Sequence, residues 1–206
     1  MNRYFTIARL GSLTLLTFTL TATAQYNWKL SRDKDSIIVY ESATRNSDFK
    51  SIKVECTLQG DYDKFIAVMN DVPRYKEWVY HTKNSHVIKR ISPVEFYYYT
   101  ETSLPWPLSN RDAVFHSKTD RDSADRYLNI KTVTEPFLVT EKSGKVRVPY
   151  SFINWYVTRA SAKTIHVTYI LEINPGGSLP AWLVNMFADR GPYESFKRLG
   201  EVLKKK

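Results

Sequence analysis

Between residues 164 and 173 apolar and polar side chains alternate. Ile165, Val167, Tyr169, Leu171 and Ile173 share one parity; Thr164, His166, Thr168 and Glu172 share the other. Residues 51–59 do the same, with Ile52, Val54, Cys56 and Leu58 set against Ser51, Lys53, Glu55, Thr57 and Gln59. A period of two marks strands with one face on a core. Ile37–Tyr40 predicts a further short strand. The period then changes. Tyr62, Phe65, Ile66 and Met69 fall at i, i+3, i+4 and i+7 behind a Gly60-Asp61 cap, which predicts a helix that Asp71-Val72-Pro73 ends. Trp78 follows in a polar, partly helical stretch.

From about residue 84 the strand signal returns, over 86–91, 95–103, 111–119, 127–133, 145–157 and 164–173. The connections are short and polar, as antiparallel hairpins require. Asn174-Pro175-Gly176-Gly177-Ser178 ends the last strand, and one long helix is predicted over 179–203. Gly191-Pro192 places a kink or break within it, since proline removes a backbone donor and crowds the preceding turn. The order of elements is that of an α+β fold, with helices gathered on one face of a curved antiparallel sheet. A single helix laid across a strongly curved sheet does not fill the concavity, so a lined pocket is expected between them.

Composition narrows the picture. The chain has 206 residues, 43% hydrophobic and 25% charged, which suits one folded domain. A single cysteine excludes a disulfide framework and an all-thiolate metal site. Cys56 sits in an apolar parity set and reads as a buried small hydrophobe. No G-x-G, P-loop or G-x-S-x-G pattern is present, so no cofactor is expected. Residues 1–24 have the form of a cleaved export signal: Arg3 and Arg9, an apolar run Leu10–Leu20, then Ala22-Thr23-Ala24. The domain then spans 25–206, and the protein is expected in the periplasm or secreted. The full chain carries +9; the signal holds two arginines and no acid, leaving +7. That charge allows transient contact with an anionic membrane surface. No basic-aromatic motif points to nucleic acid, and the chain is read as a monomer.

Two stretches carry a resemblance: Leu104-Pro105-Trp106-Pro107-Leu108-Ser109-Asn110-Arg111-Asp112, and Ile173-Asn174-Pro175-Gly176-Gly177-Ser178-Leu179-Pro180-Ala181-Trp182-Leu183-Val184-Asn185. Trp28-x-Leu30, Ile37–Tyr40, Asp71 and Trp78 add weaker matches. Together these resemble START domains, the lipid-transfer module related to steroidogenic acute regulatory protein, over roughly residues 26–203. The resemblance implies a helix-grip fold: a curved antiparallel sheet around the C-terminal helix, enclosing a tunnel for one lipid. It implies a lipid-binding or lipid-transfer protein and not an enzyme. Aromatase/cyclases share that wider fold, so a helix-grip enzyme stands as the alternative, beside a ligand-sensing interaction module.

Candidate site residues follow. Phe96 to Tyr99 put aromatics on both faces of one strand, so one parity suits a cavity. Sterol-binding START domains carry an arginine six residues beyond the RD arginine, paired with an acid on a neighbouring strand; here those positions hold Ser117 and Tyr98, with Glu101 close by. Ser117 and Tyr98 instead offer neutral hydrogen bonds. Trp182, Leu183, Met186, Phe187 and Arg190 cluster at helical spacing and are candidate lining residues. Arg111 and Asp112 are adjacent, so on a strand they face opposite ways; both are expected to make structural bonds, the arginine forking onto a carboxylate or carbonyls. Gly176 and Gly177 permit positive φ and a sharp reversal. The histidines, His81, His86, His116 and His166, lack metal-ligand spacing, and no metal site is expected. An enzyme would need a polar pair with a perturbed pKa deep in the pocket; a carrier needs mostly apolar walls.

Overall fold

The structure, a computed structural model, describes residues 26–44, 47–186 and 188–205. The expected export signal over 1–24 lies outside the described residues.

Ten strands form one sheet among the described residues: β1 Lys29–Lys34, β2 Ile37–Thr44, β3 Ser47–Gln59, β4 Thr82–Ser92, β5 Glu95–Thr102, β6 Asn110–Arg121, β7 Leu128–Thr134, β8 Lys145–Arg147, β9 Tyr150–Ser161 and β10 Thr164–Asn174. Their order is β1-β2-β3-β10-β9-β7-β6-β5-β4, with β8 beside β6. All pairings are antiparallel except β8 with β6. Helix α1, Tyr62–Asn70, links β3 to β4 across the sheet. Its cap is Asp61, whose side chain accepts from the Lys64 backbone N–H. A 3-10 turn, Val72–Glu77, follows it. The chain closes with α2, Ala181–Met186, and α3, Arg190–Lys205.

The alternating strands bury the expected parity. Val54, Ile165 and Val167 are fully buried, and so is Phe65 of α1. α3 lays Tyr193, Phe196, Leu199 and Leu203 on the same core. Phe196 stacks on Trp155 at 5.2 Å and meets Tyr169 edge-on at 5.3 Å. Cys56 is buried, and desolvation pushes its thiol up to about 12, so it stays protonated.

Two expectations need correction, and one strand carries no signal in the sequence. The predicted strand over 145–157 is two strands, because Val148-Pro149 breaks the ladder: the Val148 N–H turns to the Asp112 carbonyl, and proline has none to give. The single helix over 179–203 is also two. The break falls at 188–189, not at Gly191-Pro192. Asp189 ends it: its carbonyl accepts the first bond of α3 from Tyr193, and its carboxylate pairs with Arg32 of β1 at 2.9 Å. Gly191 and Pro192 sit in the first turn of α3, where a missing N–H costs nothing. Finally, β1 was not foreseen. Its sequence KLSRDK has no alternation and is mostly exposed, and pairing with β2 makes it a strand.

Candidate functional site

Between the sheet and α3 lies a cavity of about 280 Å³. Strand parity builds its wall. On β5 the even positions Phe96, Tyr98, Thr100 and Thr102 line it; on β6 the odd positions Phe115, Ser117 and Thr119 do. β7 adds Ile130 and Thr132, β9 adds Ser151, Ile153 and Trp155, and β10 adds Tyr169, Leu171 and Ile173. The roof is Phe196 and Ser195 of α3, with Gly191 and Pro192 at its start. Met69, Tyr75 and Trp78 close the α1 end.

Register turns these residues into rows. Phe96 pairs with Ser117, Ser117 with Thr132, Thr132 with Ile153, and Ile153 with Leu171. One row thus crosses five strands, running aromatic, two hydroxyls, two aliphatics. A second row runs Thr119, Ile130, Trp155, Tyr169. Aromatic edges meet at the α1 end: Tyr75 and Tyr98 at 5.6 Å, Trp78 and Trp155 at 6.2 Å.

The wall is polar only through uncharged groups. Tyr75 donates to the Met69 carbonyl at 2.5 Å. Burial raises the Tyr75, Tyr98 and Tyr169 hydroxyls above the ordinary tyrosine value, so all three stay neutral at any physiological pH. At Tyr98 the neighbouring Tyr75 and Tyr169 add to the rise. Thr132 Oγ1 donates to Ser117 Oγ at 3.0 Å.

Of the residues expected at the site, Tyr98 and Ser117 stand on the wall and face each other's strands. Trp182, Leu183, Met186 and Arg190 do not line it. Trp182 and Met186 are 64% and 60% exposed, Arg190 is exposed and Leu183 is half-buried. Polar contacts hold α2 away from the cavity floor: Asn185 accepts from the Lys50 N–H at 3.0 Å and donates to the Asp48 carbonyl at 2.9 Å, docking the helix on the start of β3. Phe187 lies outside the described residues. The sequence did not single out Thr132, Ile153, Trp155 or Phe196. The first three lie on strands whose parity was readable but whose register was not, and Phe196 was hidden among equivalent apolar helix positions.

The two motif stretches meet at one end of the sheet. Arg111 donates to the carbonyls of Ser109, Pro175 and Gly176, at 2.5, 3.4 and 3.3 Å. Asp112, facing the other way, takes Arg147 in a fork at 2.9 and 3.0 Å. Both residues therefore bond structurally and neither touches the cavity. Glu101 also faces outward, paired with Lys145 at 2.8 Å. Gly176 and Gly177 have φ of 70° and 67°. Among the described residues no group of three or more His, Cys, Asp or Glu could hold a metal ion. No described helix is long and apolar enough to cross a membrane.

The family model for the START domain matches residues 11–206. An uncharacterized protein of Pseudomonas aeruginosa is 28% identical over 180 residues, covering 87% of this chain and 88% of its own. The phosphatidylcholine transfer protein of Mus musculus is 28% identical over 170 residues, covering 80% and 78%. Among solved structures, a STAR-related lipid transfer protein fragment from Xanthomonas axonopodis superposes with a TM-score of 0.80 at 29% identity, covering 86% of this chain and 98% of that one. The sheet and terminal helices of this chain are those of that helix-grip structure.

Proposed function

The chain belongs to the START domain family, and from that premise we propose that it binds one hydrophobic small molecule in the cavity under α3 and carries it through water between membranes. The observation that carries this reading is the cavity itself: a space of about 280 Å³ walled by Phe96, Phe115, Ile130, Ile153, Trp155 and Leu171. Covering apolar surface there supplies roughly 25 cal/mol per Å². The wall supports a carrier over an enzyme. Its hydroxyls are neutral tyrosine, serine and threonine groups, and none of them is a base near pH 7.

We further read residues 1–24 as an export signal and the working domain as 25–206, periplasmic or secreted and monomeric. Membrane contact would use the exposed aromatics near the two motif stretches. Trp106 is 93% exposed in the loop between β5 and β6, and Trp182 and Met186 are exposed on α2. Arg111 ties the Trp106 loop to the segment leading into α2. An indole at that end suits a water–lipid boundary, and the chain's positive charge suits an anionic surface.

The test is transfer between vesicles. Donor vesicles of phosphatidylcholine, phosphatidylglycerol and monooleoylglycerol, each with its own isotope label, are mixed with unlabelled acceptors. The proposal expects at least one label to reach the acceptors faster in the presence of protein. Equal rates with and without protein for all three would refute transfer.

A further inference from the structure

The geometry points to an uncharged ligand: an apolar molecule with a single neutral polar group, an alcohol or carbonyl, seated on the Ser117–Thr132 hydroxyls. This rests on the carrier reading above and narrows its ligand class.

Among the described residues that line the cavity, none is Asp, Glu, Lys, Arg or His. A phosphate or ammonium drawn into that space would lose its water and meet no opposite charge. That desolvation is steeply unfavourable for an unpaired ion. Glu101 and Asp112 face the other way, and Arg111 is taken up by the carbonyls of Ser109, Pro175 and Gly176. Glu101 pairs with Lys145, and Asp112 with Arg147.

The wall nevertheless has one polar spot, and it is incomplete. Ser117 is 4% exposed and Thr132 3% exposed. Thr132 donates to Ser117 Oγ at 3.0 Å. A hydroxyl has one proton to give. Ser117 is the end of this relay, and among the described residues no acceptor takes its proton. A buried donor left without an acceptor is costly. A ligand oxygen placed there would complete the chain. The row around it shows what surrounds that oxygen: Phe96 on one side, Ile153 and Leu171 on the other. One neutral polar atom in the middle of an apolar body is the complementary shape. The volume, about 280 Å³, lies just below the ~300–1,000 Å³ typical of ligand pockets.

A matched pair of probes tests this: 1-hexadecanol and hexadecyl phosphate share one chain and differ in head charge. Each is delivered to the full protein from vesicles, and bound ligand is measured after gel filtration. The alcohol is expected to bind at least tenfold more tightly than the phosphate. Thr132→Val keeps the shape and removes the relay; it should weaken the alcohol about tenfold while leaving hexadecane binding unchanged. Ser117→Ala should do the same, and serves if the valine variant does not fold. Phosphate bound as tightly as alcohol would overturn the neutral-ligand inference and leave the carrier standing. Neither probe bound, and no hexadecane either, would overturn the carrier reading with it.

Discussion

Arg147 on β8 and Asp112 on β6 form a two-pronged ion pair, with Nε–Oδ1 at 2.9 Å and Nη2–Oδ2 at 3.0 Å, and both side chains are buried. The same guanidinium also donates to the carbonyls of Pro136, Val139 and Thr140, so one charge fixes the whole 136–140 loop. Removing the acid strands that charge in a dry site. Asp112→Ala is therefore expected to lower unfolding free energy by about 3–5 kcal/mol. Urea denaturation reads the loss. Because Arg147→Met removes the charge that Asp112→Ala leaves unpaired, the two together should cost less than the two single losses added.

Gly176 is held at a φ of 70°, and a Cβ built there would stand 2.8 Å from the Arg147 carbonyl oxygen. Backbone strain and a collision then act together. Gly176→Ala is expected to cost at least ~2 kcal/mol in chemical denaturation. Gly144 is the control. Its φ is 74°, yet an added Cβ would meet nothing within 4 Å, so Gly144→Ala should cost only the ~1–2 kcal/mol of strain.

Filling the cavity separates binding from folding. Ile153 lies on the floor row between Thr132 and Leu171. Ile153→Phe pushes extra atoms into space that a ligand would use. Ligand occupancy is expected to fall at least tenfold. The melting temperature should hold or rise, because the added ring covers open apolar surface. Scanning calorimetry with extraction of bound ligand checks both halves.

Acid sensitivity has a local source. Asp125 at the β6–β7 turn is bonded by Arg121 at 2.6 Å and by Arg159 of β9 at 2.8 Å. These bonds, Arg121 first, lower its pKa from the ordinary 3.8 to about 2. Folding therefore favours the charged form. The contribution is whole above about pH 4 and is lost as pH falls toward 2. It is small, since the group is exposed and salt screens it. Asp125→Asn, which tolerates the residue's φ of 59°, should flatten the decline of stability between pH 4 and 2 and leave stability near neutral pH almost unchanged. Denaturation midpoints across that range measure it.

How far the sequence revealed this molecule depended on which forces act locally. β3, β10 and α1 were readable because a half-buried strand or helix writes its burial into its own period. The Asp61 cap was readable for the same reason. The split at Val148-Pro149 had its signal in the proline, masked by the apolar residues on either side. β1 had none: Lys29–Lys34 becomes a strand by pairing with β2. The break between α2 and α3 depends on Asp189 reaching Arg32, a contact 157 residues distant in the chain. At the site, parity gave Tyr98 and Ser117. Their neighbour Thr132 needed the β6–β7 register, which no single strand encodes. Trp182 and Met186 look like core residues by composition and stand in solvent, because Asn185 fixes α2 on the start of β3.

The central claim is that the space beneath α3 is built for a guest. Native mass spectrometry of the protein purified without detergent, followed by solvent extraction and lipid analysis, tests it most directly. The account predicts one adduct per chain, of lipid mass, displaced by Ile153→Phe and recovered in the organic phase as an uncharged species. A bare polypeptide mass that does not change after incubation with mixed-lipid vesicles would contradict it.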